Sequence, residues 1–132
     1  MKKIYILLII LLAIIMVIYG NIAIKTNKSI SYINIYLEIS NITETKIQEN
    51  NVYFSSPSNN QIKGSTMIRN DKDKDKKVKI VAEGQLAENN WLEISEDSFK
   101  IKPQETKSIE ITINIPQEAE GNYSSRLRIE SR

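Results

Sequence analysis

The amino-acid sequence predicts an all-β domain, built as a sandwich of two antiparallel sheets, behind one hydrophobic helix at the N-terminus. Two observations carry this prediction: a continuous apolar stretch in the first two dozen residues, and alternating apolar and polar residues over most of the remaining chain. At 132 residues the chain has room for one ordinary domain. We therefore divide it into a hydrophobic segment at 1–25, a spacer at 26–29 and a β-domain at 30–132.

The hydrophobic segment has no charged residue from Ile4 to Tyr19 and continues with little polarity to Ile24. A helix needs about 20 apolar residues to cross a bilayer, whereas the core of a secretory signal is about 7–15 residues long. Positive charges beside a span stay in the cytoplasm, so Lys2 and Lys3 are expected there. The segment predicts a single-pass cell-membrane protein, with residues 4–24 in the membrane and the C-terminal domain outside.

Removal of this segment by a signal peptidase is the alternative, and it would give a secreted protein. Cleavage requires small residues at the first and third positions before the cut. A cut after Gly20 has Ile18 at the third position, and a cut after Ala23 has Asn21 there. Both sites are poor, so retention of the helix is favoured and cleavage stays open.

Strands are indicated by a hydrophobic period of two, because successive side chains of a strand point to opposite faces. Three runs are clean, namely 33–39, 109–115 and 123–129, and the others are 46–54, 62–69, 78–82, 91–94 and 99–101. Turn-forming residues separate the runs. Seven to eight short strands with such turns, and no amphipathic helix, are typical of a β-sandwich.

Composition limits the chemistry of the chain. It has no Cys and no His, which excludes disulfides, thiolate or imidazole metal sites and histidine-based catalysis. The net charge of +2 is spread along the sequence, without the clustered basic face of a nucleic-acid binder. No paired carboxylates, serine–lysine pair or glycine-rich phosphate loop stands out. We predict no enzyme activity, no catalytic residue, no cofactor and no nucleic-acid partner.

One acidic run is similar in sequence to a calcium-binding loop. Asp71, Asp73 and Asp75 alternate with lysines. A calcium loop of this type needs Gly at its sixth position and Glu at its twelfth, where this sequence has Lys76 and Ala82. The run therefore predicts a solvated turn and no metal site.

A series of short motifs runs through the second half of the chain. In order they are Ile68-Arg69-Asn70, Val78-Lys79-Ile80, Trp91-Leu92-Glu93-Ile94, Pro103, the strand 109–116, and Ala119-Glu120-Gly121-Asn122-Tyr123. Their order and spacing resemble the immunoglobulin-like domains of exported and surface-anchored archaeal and bacterial proteins. The resemblance implies an immunoglobulin-like β-sandwich used for adhesion, spacing or assembly, and it transfers no catalytic residue.

In such domains a further strand usually follows the one that opens with the Gly-x-Tyr motif, and this sequence has no such strand after 123–129. We expect the run Ile30–Ser40 to fill the vacant sheet edge. The alternative is an open edge, which would accept a strand from another protein or from a second copy of the chain.

Three tyrosines are candidate interface residues, because aromatic residues are enriched where proteins meet. Tyr32 and Tyr36 share the face of the first strand opposite its isoleucines. Tyr123 is the third candidate, although its place after Gly121 also predicts a structural tyrosine corner. Trp91, at the start of a short strand, is predicted to lie in the core.

Three N-glycosylation sequons place candidate acceptors at Asn27, Asn41 and Asn122. About two sequons are expected by chance from the content of Asn, Ser and Thr. The sequons agree with export and do not demonstrate it.

These patterns favour a membrane-anchored extracytoplasmic module with a structural or protein-interaction role, whose partner is an envelope or surface protein. A ligand-binding accessory domain, for carbohydrate or a transporter, is the alternative, with Tyr53, Phe54 and Trp91 as aromatic candidates that we expect to be buried. An exported enzyme subunit without its own catalytic site, or a hydrolase built on paired acids, is less favoured by the sequence.

Overall fold

Helix α1 spans Lys2–Lys25, the stretch that the sequence predicts as apolar helix. The computed structural model describes residues 2–25 and 28–132. From Lys2 to Tyr19 no part of α1 is buried against the rest of the protein. At about 1.5 Å per residue, its 24 residues extend about 36 Å, more than the hydrocarbon core of a bilayer. The helix is long and apolar enough to span a membrane or to act as a signal sequence.

The described residues beyond α1 form nine strands and one short helix. The strands are β1 Ser29–Ile39, β2 Glu44–Gln48, β3 Asn51–Ser56, β4 Asn60–Arg69, β5 Lys76–Gly84, β6 Leu92–Ile94, β7 Ser98–Ile101, β8 Thr106–Ile115 and β9 Asn122–Ser131, with helix α2 at Gln85–Glu88. Six strands form one sheet, in the order β2-β3-β1-β9-β5-β7, and three form the other, in the order β4-β8-β6. The prediction of a mainly β domain behind one apolar helix is confirmed. The single turn of α2 is a helix that the sequence does not predict.

The strand count exceeds seven to eight because the run 46–54 contains two strands. Glu49 has a φ of 54° and lies with Asn50 in a turn, so β2 and β3 form a hairpin. This hairpin places β3 rather than β2 beside β1, and the β1–β3 pair is parallel. The expectation of purely antiparallel sheets is wrong at this pair. β3 lies inside the sheet because the side chains of Val52 and Phe54 are buried in the core. β2 lies at the sheet edge, where every one of its residues is exposed.

One hydrophobic cluster joins the two sheets. Its buried members on the strands are Ile33, Ile35, Leu37, Val52, Phe54, Val78, Ile80, Ile101, Leu127 and Ile129 from the larger sheet and Ile62, Ile68, Ile109, Ile111, Ile113 and Ile115 from the smaller one. The alternating residues of β1, β8 and β9 thus point inward, as the period of two predicts. Full burial of one such side chain contributes roughly 1.5–3 kcal/mol, so this alternation is the main source of the domain's stability.

Strand β1 fills the edge that the sequence leaves vacant. It pairs with β9 in antiparallel register from Ser29↔Ser131 to Glu38↔Asn122, and β9 pairs on its other side with β5. Because β9 has a neighbour on both sides, it cannot accept a strand from another chain. The run Ile30–Ser40 completes the sheet, and the alternative of an open edge at β9 is excluded.

From β4 onward each strand lies in the opposite sheet from the strand before it. The connections therefore cross from sheet to sheet, and all but the β6–β7 connection, which crosses beside the middle of β8, do so at the two ends of the domain. The end at which β1 begins comprises residues 28–29, 69–77, 101–105 and 131–132, joined by backbone bonds such as those between Lys77 and Arg132. We call it the entry end, because the chain coming from α1 enters the domain there.

Candidate interaction surface

The outer face of the six-stranded sheet is the side that points away from the hydrophobic cluster. On β1 the side chains of Tyr32 and Tyr36 point outward because Ile33, Ile35 and Leu37 point inward. The parallel register places Tyr53 of β3 directly beside Tyr36. Two tyrosines from separate strands therefore meet on a solvent-facing surface, where they line a depression of about 490 Å³.

Tyr36 and Tyr53 stack on each other. Their ring centroids are 5.1 Å apart and their planes differ by 14°, while each residue keeps 40% of its surface exposed. Such aromatic pairs contribute about 0.5–1.5 kcal/mol beyond the area that they bury. The stack holds two large side chains in fixed positions, which lowers the entropy cost of binding a partner.

Two arginines of β9 extend this surface. The Arg126 guanidinium lies 4.6 Å from the centroid of the Tyr32 ring, and its Nε donates to Glu83 Oε2 at 2.8 Å. Arg128 donates to the other carboxylate oxygen of Glu83. One carboxylate thus orients both guanidinium groups. We call the set Tyr32, Tyr36, Tyr53, Arg126 and Arg128 the tyrosine–arginine face.

Glu130 connects this surface to the entry end. Its Oε1 lies 3.2 Å from Lys28 Nζ and 3.5 Å from Arg128 Nε. The hydrogen bond from Lys28 holds the pKa of the Glu130 carboxyl below its ordinary value of 4.5, and the charges of Lys28, Arg128 and Lys79 add to this effect while burial opposes it. The carboxylate is therefore ionised at neutral pH and binds the residue that precedes β1.

Tyr123 lies apart from the other two candidate tyrosines. Its register partner on β1 is the buried Leu37, so its ring points inward and contacts Trp91 edge to face, with centroids 4.8 Å apart. Its hydroxyl accepts a hydrogen bond from Glu120 N at 3.3 Å. The packing of Tyr123 favours the tyrosine corner, and an interface role for this partly buried residue stays a prediction. Trp91 packs against the cluster while partly exposed.

Tyr53 is a candidate interface residue that sequence reasoning missed, because the expectation that it is buried with Phe54 is wrong: it is 40% exposed. Phe54 is 1% exposed, and alternation along β3 places its neighbour on the opposite face. The alternation of Val52, Tyr53 and Phe54 could have indicated this orientation. The contact with Tyr36 could not be foreseen, because it depends on the parallel pairing.

Two candidate glycosylation sites lie on the surface. Asn41 is exposed in the bend after β1, and Asn122 is exposed at the start of β9. Asn27 lies outside the described residues. Glycosylation at these positions stays a prediction.

The acidic run of the sequence lies in the loop between β4 and β5, where Asp71, Asp73 and Asp75 are exposed. In the described part of the chain, no group of three or more acidic side chains is arranged to hold a metal ion. The Asn70 amide holds the loop by donating to Lys74 O at 2.7 Å, and of the three carboxylates Asp71 pairs with Arg69 Nε at 2.6 Å.

Comparisons with protein-family models, with curated proteins and with solved structures give no match to this chain. The functional conclusion therefore depends on α1 and on the tyrosine–arginine face.

Proposed function

We propose that this protein is a membrane-anchored extracytoplasmic module whose immunoglobulin-like β-sandwich binds another protein of the cell envelope. The observation that carries the proposal is the tyrosine–arginine face, a rigid and exposed surface on a domain that follows an apolar helix. Tyr and Arg are among the residue types most enriched at the energetic centres of protein interfaces. Depressions of about 440 and 490 Å³ lie beside Tyr36, and the aromatic and guanidinium groups around them are the kind that protein partners bind.

Membrane anchoring is supported by the composition and exposure of α1. A helix that is apolar on all sides needs either a large protein core or lipid around it, and the described domain does not cover residues 2–19. Lys2 and Lys3 favour a cytoplasmic N-terminus and an outside domain. This topology is part of the proposal.

The immunoglobulin-like assignment is supported by three features of the described residues. The two sheets share one core, Trp91 packs against it, and the Tyr123 hydroxyl binds backbone just upstream, as in a tyrosine corner. The β2–β3 hairpin and the parallel β1–β3 pair depart from an antiparallel sandwich. These additions lie at the N-terminal side of the sheet, outside the motifs that carry the resemblance.

The geometry of the rings favours a protein over a carbohydrate. Sugars bind to proteins by lying against free aromatic faces, and Tyr36 and Tyr53 already cover one face of each other. One side of the Tyr32 ring is taken by Arg126. The surface offers ring edges, hydroxyls and guanidinium groups, which are the groups that pair with polar backbone and carboxylates of a protein partner.

The topology is tested by labelling introduced cysteines, since the native chain has none. Asn41→Cys places a thiol on the exposed bend after β1, in the β-domain. Lys3→Cys places one near the N-terminal end of α1, on the opposite side of the proposed membrane span. We expect a membrane-impermeant maleimide to label position 41 and not position 3 in intact cells. Labelling of position 3 alone would show the opposite topology, with the N-terminus outside and the β-domain in the cytoplasm. Intact mass of the native protein then shows whether α1 is retained.

The partner is tested by placing a photo-cross-linking amino acid at position 36 or 53. Ser65, on the exposed face of β4 in the other sheet, is the matched control position. We expect positions 36 and 53 to capture the same envelope protein and position 65 not to capture it. Equal capture at all three positions, or none at 36 and 53, would reject the tyrosine–arginine face as the binding surface.

A further inference from the structure

The entry end concentrates positive charge that the sequence leaves dispersed. Its four stretches contain eight Lys and Arg residues, Lys28, Arg69, Lys72, Lys74, Lys76, Lys77, Lys102 and Arg132, against four acidic ones, Asp71, Asp73, Asp75 and Glu105. The rest of the domain from 28 to 132 contains seven basic and twelve acidic residues. The charge of the domain is thus unevenly distributed: the entry end has a net positive charge, and the rest of the domain has a net negative charge.

Most of these cations are not neutralised by a neighbouring carboxylate. Within residues 28–132, two members of the group form ion pairs, Lys28 with Glu130 at 3.2 Å and Arg69 with Asp71 at 2.6 Å. A depression of about 400 Å³ opens at this end, and its charged lining comprises Arg69, Lys72, Lys74, Lys76 and Arg132 together with Asp71 and Asp75. Ser29, the first residue of β1, also lines it, so basic residues in excess over acidic ones lie next to the point where the chain arrives from α1.

The length of the connection places this end at the membrane. Lys25 ends α1 and Lys28 forms the ion pair with Glu130, so three peptide units separate them. Consecutive Cα atoms are 3.8 Å apart, which limits that separation to about 11 Å. The headgroup layer on each side of a bilayer is about 5–8 Å thick. If α1 spans the membrane, the entry end lies on or within the headgroups.

We propose that the entry end docks on the headgroups of anionic phospholipids, and that this contact fixes how the domain stands on the membrane. The inference rests on the proposed anchoring by α1. Basic residues close to an anionic bilayer are attracted to it over a Debye length of about 8 Å at physiological salt. The negative remainder of the domain is repelled by the same surface, so the charge polarity selects one orientation.

The test uses the full chain reconstituted in two kinds of vesicle, phosphatidylcholine alone and phosphatidylcholine with about 30% phosphatidylglycerol. A membrane-impermeant amine reagent labels the lysines of outward-facing domains, and mass spectrometry gives the rate at each lysine. We expect Lys72 and Lys74 to react about three- to fivefold more slowly in the anionic vesicles. We expect Lys46 and Lys63, which lie on strands away from the entry end, to react equally in both. The protection should disappear at about 1 M salt, where the Debye length is about 3 Å.

Flotation of the same vesicles separates this inference from the proposed anchor. Flotation with both kinds of vesicle, together with equal labelling of Lys72 and Lys74 in both, would overturn the lipid contact and leave the anchor intact. Failure to float with phosphatidylcholine vesicles would overturn the anchor itself. Equal protection of Lys46 and Lys63 would show general shielding and would also overturn the lipid contact.

A charge-neutral variant gives an independent check. Lys72 and Lys74 are exposed in a loop, so Lys72→Gln combined with Lys74→Gln leaves the core unchanged. We expect this variant to lose most of the protection at Lys76 and Lys77 in anionic vesicles. The matched control, Lys46→Gln with Lys63→Gln, should keep it. Full protection of Lys76 and Lys77 in the first variant would contradict the proposal.

Discussion

Replacement of Asn70 by alanine is expected to destabilise the domain by about 2–5 kcal/mol. Asn70 is completely buried and connects three chain segments through its side chain. Its amide donates to Ile101 O at 3.0 Å and to Lys74 O at 2.7 Å, and its carbonyl accepts from Lys72 N at 3.1 Å. The loop from β4 to β5 is therefore attached to β7 by one side chain.

The magnitude follows from where each partner lies. Ile101 is buried, so its carbonyl loses a donor that water cannot replace, at a cost of about 1–3 kcal/mol. Lys72 and Lys74 are exposed, so water replaces the lost bonds there, and each costs about 0.5–1 kcal/mol. A domain with a total stability of about 5–15 kcal/mol loses a large part of it.

The measurement is equilibrium urea unfolding of the full chain in a non-ionic detergent, followed by fluorescence of Trp91, the one tryptophan of the sequence. Asn114→Ala is the matched control, because its side chain accepts from Gln61 on an exposed sheet face and should cost below about 1 kcal/mol. Asn70→Asp keeps the shape and replaces the donor by an oxygen that faces two carbonyls, so it should destabilise at least as much as alanine at neutral pH. A loss below about 0.5 kcal/mol for Asn70→Ala would refute the reasoning.

Two other outcomes are measured by the same unfolding assay. Gly84→Ala should cost about 2–3 kcal/mol, because Gly84 has a φ of 98° and a Cβ would lie 2.9 Å from Ser125 Cα; Gly121→Ala, with a φ of 83° and nothing within 4 Å, should cost less. Glu130→Gln should weaken the loss of stability that occurs as the pH falls below the ordinary carboxyl pKa of 4.5. The folded pKa of Glu130 is depressed by Lys28, so its stabilisation is present above the unfolded pKa and is lost as the pH falls through the folded one. Unchanged acid sensitivity would contradict this assignment.

The hydrophobic period of two is enough to locate most of the strands. The alternation along 109–115 predicts Ile109, Ile111 and Ile113 in the core, where they are completely buried. The hairpin inside 46–54 escapes detection because its turn contains Glu49 and Asn50 rather than Gly, and Glu49 adopts a positive φ that glutamate rarely takes. Without that turn, the parallel β1–β3 pair cannot be inferred either.

For the candidate surface, the sequence predicts which residues of each single strand point outward, but not which residues of neighbouring strands lie beside them. The outward orientation of Tyr32 and Tyr36 follows from the pleat of β1, but their neighbours come from β3 and β9, and register between strands is a property of the whole sheet. The same limit applies to the entry end. Five of its eight basic residues lie in the stretch 69–77, interleaved with three aspartates, and the other three come from stretches as much as a hundred residues apart, so no window along the chain shows the whole group.

The two proposed contacts lie on one strand, which sets where a partner must approach. β1 begins at the entry end with Ser29 and carries Tyr36 seven residues later. At about 3.3 Å per residue, Tyr36 lies about 23 Å along the strand from the point of entry. If the entry end rests on the headgroups and β1 stands upright on them, the tyrosine–arginine face extends along the side of the domain from Tyr32, about 10 Å from the point of entry, to Tyr36. A partner therefore binds from the side, about 10–23 Å above the headgroups, which fits a second envelope protein held at the same membrane.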